Sequence, residues 1–178
     1  MEREVVLTRR DCPALMVPSG TEITIPVDTF VTITQALGGS YTVVVNGNLA
    51  RVSGRNADAL GKNSEDFSFR DIKEGDVNED HIWEALKSVF DPEIPVNVVD
   101  LGLIYDLSVS KVNGSNNVRI EMTLTSPGCG MGPVIADDVK HKVSTVPNVD
   151  DVVVDLVFDP PWNNDMLSDE AKLELGIL

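Results

Sequence analysis

The hydrophobic period changes once along this chain, and that change divides it. Before residue 60 there is no long helical period. Glu22–Pro26 alternates apolar and polar residues, and Val31-Thr32-Ile33-Thr34 continues a β-branched theme. Tyr41–Val45 and Asn48–Val52 flank Asn46-Gly47, a pair that tolerates the positive φ angles of a two-residue hairpin turn. Gly38-Gly39 marks another turn or bulge. Residues 1–62 are therefore expected to form a small all-β domain.

Residues 63–76 are polar and charged and read as a linker, with Phe67 and Phe69 available to tack it onto a neighbouring surface. Beyond it the period lengthens. Asn78 can cap a helix with Glu79 and Asp80 in the first turn, and Ile82, Leu86, Val89 and Phe90 form a stripe at helical spacing that Pro92 ends. Leu101, Leu103, Tyr105, Leu107 and Val109 alternate as a strand. Val118, Ile120, Met122 and Leu124 alternate again, with Arg119, Glu121 and Thr123 on the other face. A helix opens near Pro133, and Val152, Val154, Leu156 and Phe158 make a third strand. Ser168 starts a short terminal helix that ends near Gly176. Residues 77–178 are thus expected to be an α+β domain, a small three-stranded sheet covered by helices.

Charge follows the same division. Of 14 basic and 29 acidic side chains, residues 1–62 hold six of each, so the net −15 lies entirely beyond residue 62. Such a field repels nucleic acid and anionic membranes and favours partners with basic patches. No apolar run approaches the roughly 20 residues of a membrane span. The charged start Met1-Glu2-Arg3-Glu4 is not followed by an apolar signal core. The expected compartment is the cytoplasm, a reducing one in which the two cysteines, Cys12 and Cys129, remain free thiols.

Cys129 lies in Ser126-Pro127-Gly128-Cys129-Gly130-Met131-Gly132-Pro133, a glycine-rich loop leading into a helix. Gly128, Gly130 and Gly132 strip side chains from around the sulfur and let backbone N–H groups converge. The partial positive charge of a helix N-terminus adds to this, and both effects favour a thiolate, the form that binds iron or attacks an electrophile. The alternative is an inert cysteine packed in a tight turn. A second loop, Asp91-Pro92-Glu93-Ile94-Pro95-Val96-Asn97, joins helix to strand with two stiffening prolines. Asp91 can cap a turn there, or Asp91 or Glu93 can face Cys129 as an oxygen ligand or hydrogen-bond partner.

Other reactive residues fit bland roles better. Cys12 sits in Arg9-Arg10-Asp11-Cys12-Pro13, where the arginines favour a thiolate but no glycine cradle exists. His81 and His141 are expected on the surface, and no zinc-type spacing of Cys and His occurs. Trp162 either packs the tail or anchors a partner. Neither a Walker loop nor a dinucleotide fingerprint is present.

Asp91–Tyr105 (DPEIPVNVVDLGLIY) joined to Met122–Met131 (MTLTSPGCGM) resembles the small domain shared by SufT proteins, the phenylacetate-degradation subunit PaaD and eukaryotic cytosolic iron–sulfur assembly components. The resemblance covers about residues 78–160. Gln35–Val43 and Gly54–Gly61 resemble the extra domain of SufT. The resemblance implies a non-enzymatic accessory factor that helps iron–sulfur clusters reach or form in apo-proteins. It puts the family cysteine on Cys129, supported by Gly128, Gly130 and Met131, and the acidic loop on Asp91 and Glu93. The implied partners are scaffold and apo-target proteins. A cluster usually takes four protein ligands, so one thiolate implies a transient cluster, shared across a homodimer or completed by a partner. On residue type alone, and not from the resemblance, Cys12 is the remaining candidate ligand, behind Cys129.

Two rivals remain on sequence grounds. One is an adaptor subunit of the PaaD kind serving an oxygenase. The other is an enzyme with Cys129 as nucleophile, which needs a base within hydrogen-bond reach. His141 stands twelve residues on, about 18 Å along an ideal helix, so the sequence favours a non-enzymatic role.

Overall fold

A computed structural model describes residues 3–63 and 69–177. The chain divides into two compact units, Met1–Asp66 with Pro92–Pro95, and Phe67–Asp91 with Val96–Leu178. Phe67, one of the two expected tacks, lies outside the described residues.

The first unit is a six-stranded antiparallel sheet. Its strands are β1 (Glu4–Leu7), β2 (Cys12–Met16), β3 (Glu22–Ile25), β4 (Phe30–Leu37), β5 (Ser40–Val45) and β6 (Asn48–Val52), in the order β1-β4-β5-β6-β2-β3. Asn46 (φ 49°) and Gly47 (φ 80°) make the β5–β6 turn, both in the left-handed region that such a hairpin demands. One face of the sheet, including Val31, Ile33, Val43, Ala50 and Val52, is buried together with Cys12, Ala57, Ala59 and Leu60. A 3-10 segment, Gly54–Leu60, supplies the last three of these, and Gly61 ends it at φ 70°. It is held from outside by Arg10, whose guanidinium donates to both Asp58 carboxylate oxygens at 2.7 Å. That bond holds the Asp58 carboxyl below the usual carboxylate range.

Strands β1 and β2 carry no clean alternation, and Pro13 sits inside β2. Only their pairing to β4, β3 and β6 makes them strands.

The second unit is α+β. Helix α1 (Glu79–Lys87) begins as its sequence dictates: Asn78 caps it by accepting from the Asp80 N–H, with Glu79 and Asp80 in the first turn. It stops before Pro92, at Ser88, leaving buried Val89 beyond its end. Strands β7 (Ile104–Val112), β8 (Ser115–Met122) and β9 (Asp151–Leu156) follow. β7–β8 is an antiparallel hairpin and β8–β9 is parallel. Helix α2 (Gly132–Ser144) links β8 to β9, and α3 (Asp169–Glu174) is capped by Ser168 accepting from the Ala171 N–H.

Val118, Ile120 and Met122 of β8 are buried with Ile82 and Leu86 of α1 and Ile135, Val139 and Val143 of α2. The expected first strand is shifted. Leu101 and Leu103 are buried in a turn before β7, and a register break between Ile104 and Asp106 separates them from an exposed Val109. Residues 73–76 are fastened to this unit: Asn148 Nδ2 donates to the carbonyls of Lys73 and Asp76, and Asn116 Nδ2 to that of Gly75.

Candidate functional site

Cys129 is reached from the end of β8. The Thr123 N–H donates to the Leu103 carbonyl at 2.8 Å, and Leu124 turns into the core. Ser126, Pro127 and Gly128 are exposed. The Cys129 N–H then donates to Ser126 O at 3.2 Å and the Gly132 N–H to Cys129 O at 3.2 Å, two successive turns that deliver the chain into α2. Cys129 itself is a partly exposed free thiol.

The flanking residues have separate roles. None of the three glycines takes a positive φ. Gly128 faces open space, whereas a Cβ at Gly132 would overlap Leu124 Cδ1. Met131 occupies the N-cap position of α2 without a side-chain cap and is buried, an anchor at the base of the loop. Pro133 stands in the first turn, where the missing N–H costs nothing. The loop is therefore pinned at Met131 and Gly132 and open at Gly128 and Cys129. That geometry leaves Cys129 partly exposed.

Asp91 is buried and Glu93 exposed. Their loop is closed by a bridge between Phe90 and Asn97 and by the Asp91 N–H donating to Val96 O at 3.2 Å. Asn97 Oδ1 accepts from the N–H groups of Val99 and Asp100, and its amide donates to Asp100 Oδ2 at 2.5 Å. A relay of main-chain bonds joins this segment to the cysteine loop: Val98 N–H to Val89 O, Leu103 N–H to Val98 O, and Thr123 N–H to Leu103 O. The tail is fastened to the same segment, with Trp162 Nε1 donating to Leu101 O at 2.7 Å and Ser168 N–H to Asp100 O.

Cys12 is fully buried in the core of the first unit, and burial pushes its thiol up. Arg10 opposes that shift, as the sequence suggests, but the loss of solvent outweighs it. His81, expected on the surface, is buried at 5 % exposure, its ring 5.1 Å from that of Phe69 and its Nε2 3.4 Å from Asn78 Nδ2. It borders a polar cleft of about 360 Å³ with Arg70, Asp71, Asn78, Asp80 and Glu84. His141 is exposed. Sequence alternation puts Thr123 with the polar residues Arg119 and Glu121. Instead it is buried, and its hydroxyl finds no hydrogen-bond partner among the described residues. No sequence signal marks that.

Among the described residues, no three His, Cys, Asp or Glu side chains gather into a metal site.

A family model described as iron-sulfur cluster assembly protein matches residues 79–156. A relative from Porphyromonas gingivalis named Fe-S protein maturation auxiliary factor is 50% identical over 100 residues, which is 56% of this chain and 92% of that one. The Fe-S protein maturation auxiliary factor SufT of Staphylococcus aureus is 43% identical over 89 residues, 50% of this chain and 98% of that protein. That relative is about half as long as this chain. The crystal structure of domain of unknown function DUF59 from Bacillus anthracis is similar over 56% of this chain and 92% of that one, with a TM-score of 0.51 and 42% identity. With identities this high over nearly the whole length of those relatives, this chain belongs to the iron-sulfur cluster assembly protein family.

Proposed function

We propose that this protein is an accessory factor of iron–sulfur cluster assembly in the cytoplasm, and that Cys129 is the iron or cluster ligand it contributes while cargo passes to apo-proteins. The observation that carries this reading is the partly exposed Cys129 thiol, held by turns at the start of α2 beside the open space at Gly128. A single sulfur cannot close a cluster, which usually takes four protein ligands. The missing ligands come from a partner, a small thiol or a second copy, and a site left open in this way can release what it holds. Asp91 supports the site from the acidic loop, Gly128 and Gly130 keep it open, and Met131 anchors it. Cys12, sealed in its core, stays outside the exchange.

The protein works by carrying and presenting. No bond-making step is assigned to it, and scaffold and apo-target proteins are its partners. Residues 77–178 form the assembly module. Residues 1–62 form a separate module for partner recognition, with residues 63–76 between them.

Anaerobic reconstitution with iron and sulfide, wild type beside Cys129→Ser, tests the reading through visible absorption and iron bound per chain. Cluster bands in the wild type and none in the variant are expected. Equal iron in both would remove Cys129 from the site. The second reading is an adaptor subunit of the PaaD kind, serving an oxygenase without holding cluster. It predicts no bands in either protein and capture of oxygenase subunits from extracts.

A further inference from the structure

The sheet of the first unit ends at β1, and its outer face carries apolar side chains in register. Val5 lies opposite Thr32, Thr32 opposite Val44 and Val44 opposite Leu49, while Leu7 lies opposite Phe30. Phe30 is 73 % exposed, Val5 63 %, Leu7 41 % and Leu49 40 %. Single exposed apolar residues are ordinary, but contiguous ones mark interaction surfaces.

Among the described residues, β1 pairs with β4 alone, and beyond its end the Arg9 N–H donates to Ala59 O. Bonded and non-bonded pairs alternate along an antiparallel ladder. The Thr8 N–H donates to Thr29 O at 3.0 Å, so the bonded series runs back through Val6–Val31 and Glu4–Ile33. Val5 and Leu7 therefore turn their N–H and C=O groups away from β4, toward the free side of β1.

We propose that β1 pairs with β1 of a second copy of this chain, antiparallel, about a two-fold axis through Val6. Opposed residues in such a pair share a face, which requires the axis to pass through a residue and not between two. Centred on Val6, it sets Val5 opposite the partner's Leu7. Both have outward-turned backbone groups, so each such pair exchanges both hydrogen bonds. The apolar row then continues from Phe30 through Leu7 to the partner's Val5 without a break, an apolar centre of the kind stable interfaces have. Residues 1–62 carry no net charge, so this contact is made by the part of the chain that does not repel its own copy. An edge left unpaired with an apolar flank is an aggregation hazard, and isologous pairing closes it.

Sedimentation of the full chain across a concentration series tests this, beside Val5→Pro and Phe30→Ser. Proline at residue 5 removes an N–H that faces the free edge and leaves the bonds to β4 in place. Phe30 is exposed, so its loss spares the fold. The expected result is a wild-type dimer whose dissociation constant rises about tenfold or more in each variant, with unchanged thermal melting in Phe30→Ser. A wild type that stays monomeric throughout overturns the inference, and so does a dimer that Phe30→Ser leaves intact. Iron bound per chain, read on the same samples, keeps this inference separate from the role of Cys129, because either can fail while the other stands.

Discussion

Leu124 and Gly132 are in such close contact that a single added carbon at residue 132 would overlap the Leu124 side chain. Leu124 is buried, so the overlap can be relieved only by repacking or by lifting the start of α2, the element that carries Cys129 into place. Gly132→Ala is therefore expected to cost about 1–3 kcal/mol, as overpacking in cores does, and to reduce iron loading. Gly128→Ala meets nothing within 4 Å and should leave stability nearly unchanged. Paired thermal melts and iron contents check this, and equal losses in the two variants would show that the loop is not pinned where the packing puts it.

The two thiols should react very differently. Cys129 is partly exposed, whereas Cys12 has no accessible surface and burial pushes its thiol up. Titration of the native protein with a thiol reagent at neutral pH should label one cysteine per chain, identified by peptide mapping as Cys129, with Cys12 reacting only after denaturation. The same shift has a consequence for stability. The unfolded chain loses the Cys12 proton near the ordinary thiol value of about 8.5, while the folded chain retains it to higher pH. Unfolding then releases a proton, so the stabilisation is fully present below that range and is lost as pH rises through the folded value. Denaturant unfolding from pH 8 to 10 should show a steeper loss of stability for wild type than for Cys12→Ala.

How much of this was legible beforehand depends on where each instruction is written. Turn and cap chemistry is local, so Asn46-Gly47, Asn78 and Ser168 announced their turn and their helix starts in the sequence. The α+β character followed from period alone, because β8 alternates cleanly against two helices. β1 and β2 were not readable, since Glu4–Leu7 and Cys12–Met16 become strands only through partners distant in sequence. The buried Leu101 and Leu103 looked like strand residues because a turn followed by a register break imitates alternation. At the site, residue types disclosed the exposed thiol and its glycines. The same types could not separate Gly132, a packing requirement, from Gly128, an opening. His81 read as a surface residue because the ring packed against it, that of Phe69, comes from the segment that composition marks as linker.

Thr123 is the position where the fold carries an uncompensated group. Its hydroxyl is buried without a hydrogen-bond partner among the described residues, one residue past the end of β8. Leaving such a group unpaired costs about 1–3 kcal/mol, and an apolar residue of the same shape removes the cost. Thr123→Val is expected to raise stability by roughly 1 kcal/mol in the apo-protein, measured by denaturant midpoint at constant m-value. A destabilised variant would mean that the hydroxyl has a partner, such as an enclosed water.

The tail is held to the segment before β7 by contacts that single substitutions can separate. Gly102 has φ 73°, and a Cβ there would overlap the Met166 carbonyl oxygen, a backbone atom that cannot rotate away. Around it, Trp162 Nε1 donates to Leu101 O, the Tyr105 hydroxyl to Pro160 O, and the Ser168 N–H to Asp100 O. Gly114 has a similar φ of 83° but open space around it. Gly114→Ala should therefore carry only the conformational cost of a left-handed alanine, on the order of 1 kcal/mol. Gly102→Ala carries that cost plus displacement of the tail, about 3 kcal/mol in all. Trp162 reports the difference: its emission should shift toward that of a solvated indole in Gly102→Ala and stay unchanged in Gly114→Ala. Because Leu103 O receives the Thr123 N–H at the root of the cysteine loop, Gly102→Ala should also lower iron binding at Cys129. Matching melting points and emission in the two variants would show that the tail packs independently of this segment.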